Sequence, residues 1–95
     1  MTTMKKDNKA LFADGFDDAL IGVTFDQKAG IHRVVYDKSK MVDVLCKRDS
    51  MTPVEAVEYL DFNTWTTWAG KGTPIYVDAM PDREDIEDYL TNYHE

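Results

Sequence analysis

The side chains that could do chemistry in this sequence are few, and their spacing argues against catalysis. Cys46 is the only cysteine, and His32 and His94 are the only histidines. Nucleophilic catalysis needs a nucleophile beside a base that a third group orients. Cys46 lies between Leu45 and Lys47 in a run of helical periodicity, His32 in a segment of strand alternation, and His94 in the final residues. This predicts a packed structural thiol and a cross-strand or solvent-facing His32. The segment Gly70-Lys71-Gly72-Thr73 shares the Gly-Lys and Thr of a phosphate-binding loop, but it lacks the earlier glycine and leads into a strand instead of a helix. It is expected to be a helix-to-strand turn.

Metal chemistry fares no better. Two histidines and one cysteine at unrelated positions match no zinc spacing. The run Asp82, Glu84, Asp85, Glu87, Asp88 lacks the glycine and closing glutamate of a calcium loop. Glu55 and Glu58, one helical turn apart, fit the solvated start of a helix. Lys38, Lys40, Lys47 and Arg48 form the only basic cluster, on an otherwise mixed helix, which is a weak basis for nucleic-acid binding. The sequence therefore leads us to expect a non-enzymatic chain with no cofactor, no metal and no direct nucleic-acid contact.

The elements that must position these residues can be read from composition and periodicity. Ninety-five residues, 43% hydrophobic and 31% charged, suit one globular domain and exclude a disordered chain. We expect a single domain over residues 1–95, with 1–9 flexible and 14–93 folded. No apolar run approaches the ~20 residues of a membrane span, and the first nine residues lack a secretory signal's apolar core. With one cysteine, this points to a reducing cytoplasm. Net charge is −7, unevenly spread. Up to Val77 there are 11 acids and 10 bases; from Asp78 onwards there are 7 acids against Arg83 alone.

Ala19 to Phe25 has strand composition, with Gly22 a candidate bulge. Asp26-Gln27-Lys28-Ala29-Gly30 is turn chemistry, and Ile31 to Tyr36 alternates, giving an antiparallel hairpin. Asp37 can cap a helix over Lys38 to Arg48, with Met41, Val44, Leu45 and Arg48 at helical spacing. Thr52-Pro53-Val54-Glu55 is a capping box with proline at the first helical position, starting a helix expected to reach about Trp68. Ile75 to Val77 is a short third strand. A last helix from Pro81 or Asp82 to about Tyr93 would turn Ile86, Tyr89, Leu90 and Tyr93 inward. The expected architecture is α+β, order β-β-α-α-β-α: a three-stranded antiparallel sheet with helices packed on one face.

One helix is more apolar than a single neighbour requires. Wound at 100° per residue, the Thr52–Trp68 segment gathers Val57, Leu60, Thr64 and Trp68, with Ala56 near the edge, on a side that should meet the sheet. Tyr59, Phe62 and Trp65 fall on the opposite side, flanking Glu55 and Glu58. Those three aromatics either pack against another helix or form a docking patch with an acidic rim.

Three blocks carry a resemblance: Asp14-Gly15-Phe16-Asp17-Asp18-Ala19-Leu20-Ile21-Gly22-Val23, Met51-Thr52-Pro53-Val54-Glu55-Ala56-Val57-Glu58-Tyr59-Leu60-Asp61-Phe62-Asn63, and Gly72-Thr73-Pro74-Ile75-Tyr76-Val77. Together they resemble a group of small uncharacterised proteins of tailed bacteriophages and marine environmental sequences. The resemblance implies a phage or environmental origin and no particular activity. The leading expectation is an accessory protein acting in the host cytoplasm by protein binding or self-association, through Tyr59, Phe62 and Trp65 with Asp82, Glu84, Asp85, Glu87 and Asp88 as an electrostatic supplement. The alternative is an acidic mimic of nucleic acid that fills a basic groove on a host or defence enzyme.

Overall fold

The computed structural model describes residues 9–92. The expected flexibility of 1–9, apart from Lys9, therefore lies outside the described residues, as do Tyr93 and His94. Strand β1 (Leu20–Asp26) and strand β2 (Ile31–Asp37) form the expected antiparallel hairpin. The register shifts between Leu20 and Gly22, so the bulge falls where the glycine suggested. Asp26 closes the turn: its Oδ1 accepts from the Lys28 and Ala29 amides, both at 3.1 Å, and its carbonyl accepts from Gly30 at 2.7 Å. Gly30 takes the positive φ of 76° that such a turn requires.

Helix α1 (Lys38–Arg48) starts at Asp37, whose carboxylate accepts from the Ser39 and Lys40 amides. Helix α2 (Pro53–Leu60) starts with the complete capping box: Glu55 N–H donates to Thr52 Oγ1 at 3.2 Å, and Thr52 N–H to Glu55 Oε1 at 2.9 Å. Strand β3 (Ile75–Val77) and helix α3 (Arg83–Asn92) complete the order β-β-α-α-β-α.

The sheet order is β1-β2-β3, but it is mixed, not purely antiparallel: β3 runs parallel to β2. The two helices between β2 and β3 cause this. They form a crossover that carries the chain back before β3 begins, and a crossover joins parallel strands.

The core lies between the sheet and α1–α2. Val34 and Tyr36 of β2, Met41 and Leu45 of α1, Ala56 and Leu60 of α2, and Phe16 and Ala19 of the preceding segment form one buried cluster. Tyr36, Met41, Leu45 and Leu60 are the largest fully buried side chains, each stabilising the fold by roughly 1.5–3 kcal/mol through burial. The segment before β1 also packs. Ala13 N–H donates to Tyr36 Oη at 2.8 Å and Leu11 N–H to the Gly72 carbonyl at 3.0 Å. Gly72 lies so close to the Lys9 backbone that a Cβ there would collide with it.

Two expectations about faces need correction. No residue of α3 is buried: Ile86, Tyr89 and Leu90 are exposed, so the stripe meant to point inward does not. Val57 and Trp68 are exposed as well, and it is Ala56 and Leu60 that carry the inner face of α2. α2 ends eight residues short of Trp68, so that tryptophan never joins the helical stripe.

Candidate functional site

The winding of the chain just beyond α2 decides the candidate site. Residues Asp61–Trp65 form a π-turn. Its i→i+5 winding advances each residue by roughly 80° instead of 100°. Over five residues the lag from an α-helix reaches about a quarter turn, enough to swing Trp65 towards Leu60 while Phe62 stays outward. The polar residues of this segment support the wide turn by serving its carbonyls. Asn63 Nδ2 donates to Tyr59 O at 2.9 Å, Thr66 Oγ1 to Asp61 O at 2.9 Å, and Thr67 Oγ1 to Asn63 O at 3.2 Å.

The three aromatics thus separate. Trp65 is half-buried against the core, its Nε1 donating to Met41 Sδ at 3.4 Å and its ring under Lys38 Nζ at 4.4 Å. It leaves the expected patch. Phe62 is 86% exposed, the most exposed large apolar side chain among the described residues, and Tyr59 is 45% exposed. These two and Met51 line an open depression whose acidic residues are Glu55, Glu58 and Asp61. None of Asp82, Glu84, Asp85, Glu87 and Asp88 lines it.

Two of these acids, Asp82 and Glu87, have local tasks. Asp82 Oδ1 accepts from the Asp85 amide at 3.0 Å, capping the helix, and Glu87 accepts from Arg83 Nε at 2.8 Å, one turn away. Exposed pairs of this kind contribute little to stability.

Thr73, His32 and Cys46 are tied into the scaffold. The Thr73 hydroxyl accepts from the Ala69 amide at 2.8 Å and donates to the Gly70 carbonyl at 2.6 Å, which closes the Gly70–Thr73 turn on itself. His32 packs edge-on against Phe25 across the hairpin, with ring centroids 5.0 Å apart. Cys46 is half-buried and packs on the core. Among the described residues, no three His, Cys, Asp or Glu side chains converge as a metal site. No buried side-chain nitrogen or oxygen there lacks a hydrogen-bond partner, and no helix is long and apolar enough to cross a membrane.

The fold and this surface define a small α+β domain that presents an aromatic pair inside an acidic rim. No family model, curated protein or solved structure matches the chain.

Proposed function

We propose that this chain is a non-enzymatic binding protein whose docking surface is the Tyr59–Phe62 depression on α2 and the π-turn. The observation that carries this is Phe62. A phenylalanine 86% exposed, held outward by a winding that turns its neighbour Trp65 inward, is an apolar anchor waiting for a pocket. Aromatic side chains are favoured at the centres of interfaces, with polar groups at the rim. Glu55, Glu58 and Asp61 make that rim negative, so the complementary surface is an apolar socket bordered by lysine or arginine. The likeness of the three sequence blocks to phage proteins supports a host protein in the cytoplasm as the partner class, with the chain as a phage-encoded accessory factor.

The test is capture of partners from a bacterial lysate on the immobilised chain, in parallel with Phe62→Ser. The Phe62 side chain is exposed, so the variant should fold like the parent, which circular dichroism checks. We expect a specific partner bound by the parent and lost from Phe62→Ser by tenfold or more, as for an anchor worth about 2 kcal/mol. A partner retained equally by the variant would refute the assignment.

A second reading keeps the acidic helix as the effector, mimicking nucleic acid. Its support is the exposure of Glu84, Asp85 and Asp88 along α3. Neutralising these three would then abolish binding and its steep salt dependence, whereas the Phe62 reading leaves most of the binding in place.

A further inference from the structure

The other surface the fold leaves unfinished is the free edge of the sheet. Among the described residues, β1 is an outer strand, hydrogen-bonded to β2 on one side only, so alternate residues turn their N–H and C=O groups away from the sheet. Natural edges are blunted by charge, proline or brevity. β3, the opposite edge, is only three residues long. β1 is seven residues long, and from Leu20 to Phe25 it carries neither a charge nor a proline. Its one protective irregularity, the bulge between Leu20 and Gly22, leaves Gly22–Asp26 in regular register.

The helical layer stops short of this strand. Val23 and Val34 face each other across the hairpin, on the same side of the sheet, yet Val34 is 7% exposed and Val23 62%. Phe25 beside it is 49% exposed, with only His32 against its ring. The edge therefore combines unpaired backbone groups with uncovered apolar side chains, and the group that satisfies both is another extended strand.

The geometry points to a second copy of this chain, paired antiparallel through β1 about a twofold axis at Val23, to give a six-stranded sheet. The strand is complementary to itself in this arrangement. Val23 meets Val23, Gly22 meets Thr24, and no like-charged pair is made. Asp26, the one charged residue of β1, comes towards the uncharged start of the partner's strand, whereas in-register parallel pairing would set the two Asp26 side chains side by side. The acidic helix does not oppose the pairing. α3 follows β3 in the chain, and β3 is the edge strand opposite β1. At about 4.8 Å per strand, the two β3 strands lie roughly 24 Å apart, beyond the Debye length of about 8 Å at physiological salt.

Sedimentation equilibrium of the full chain, in the parent and in Val23→Lys, tests this. Val23 is exposed, so a lysine there leaves the monomer's packing alone, and circular dichroism verifies the fold. The parent should sediment at twice the 10.9 kDa of the chain, and Val23→Lys should weaken dimerisation at least tenfold. Direct neighbours across an antiparallel pair lie within disulfide reach. In a Cys46→Ala background, Val23→Cys should therefore cross-link on oxidation, while Gln27→Cys, beyond the strand, should not. A parent that stays monomeric at all concentrations overturns the inference. So does a dimer that survives Val23→Lys and fails to cross-link through Val23→Cys, since it must use another surface, with Phe62→Ser identifying the aromatic one.

Discussion

Tyr36 joins three parts of the molecule at one side chain. It is fully buried, its ring lies 5.8 Å from that of Tyr76 on β3, and its hydroxyl accepts from Ala13 ahead of β1. Desolvation holds the Tyr36 phenol above its usual pKa, and Tyr76 is raised for the same reason. Tyr36→Phe removes the acceptor and leaves the part-buried Ala13 N–H unpaired, so it should cost about 1–2 kcal/mol in chemical denaturation. Asp26 acts at the hairpin turn. The Ala29 amide lowers its pKa most, helped by Arg33 Nη1 at 3.2 Å and the Lys28 amide, against the opposing effect of desolvation. A carboxylate lowered in the folded state stabilises it above the unfolded pKa, near 4, and that contribution disappears as pH falls through the folded value. Asp26→Asn keeps an amide acceptor but loses the charge. Its melting temperature should therefore fall less steeply than the parent's between about pH 5 and pH 2.

Among the elements, the start of α2 is secured locally and its end is not. Thr52 and Glu55 satisfy each other's amides, and Pro53 occupies the position where no donor is needed. Thr52→Ala should cost about 1 kcal/mol, read as a lower denaturant midpoint with an unchanged slope. The other end passes into the π-turn, where the Asn63, Thr66 and Thr67 side chains donate to the Tyr59, Asp61 and Asn63 carbonyls. The same short segment thereby does two jobs: it delivers Trp65 to Met41 and presents Phe62 to solvent. Arg48 plays a related part at the end of α1, lying over the Phe16 ring at 5.5 Å and donating to the Gly15 carbonyl at 3.1 Å. Arg48, at helical spacing with Met41, Val44 and Leu45, thus becomes a lid on the core.

Across the molecule as a whole, burial is unevenly distributed. α1, α2 and β2 supply most of the core, whereas β1 beyond its first residue and all of α3 stay largely exposed. Large apolar side chains are consequently exposed on three separate elements: Val23 and Phe25 on β1, Tyr59 and Phe62 around the end of α2, and Ile86 and Leu90 on α3. Clusters of this kind mark interaction surfaces more often than isolated exposed residues do. The first two have distinct chemistry. The β1 edge offers backbone hydrogen bonds and a neutral stripe, which suit a strand; the α2 depression offers an aromatic anchor in a negative rim, which suits a basic socket. The acidic excess lies in the chain after β3, the sheet edge opposite the one proposed to pair.

Whatever depends on neighbours along the chain could be read from the residues alone. The hairpin follows from strand alternation around an Asp-to-Gly turn, α1 from Asp37 and its Met41–Leu45 spacing, and α2's start from the Thr52–Glu55 exchange, because each is closed by bonds a few residues long. The outward placing of Tyr59 was legible for the same reason, whereas Val57, read as inward from the same winding, is exposed, and Phe62 lies beyond the end of α2. Long-range packing settled the rest: β3 joins β2 in parallel, the π-turn carries Trp65 inward, and α3 leaves its apolar stripe uncovered. Each of those outcomes turns on contacts between residues far apart in sequence, where local periodicity carries no information about which surface will be met.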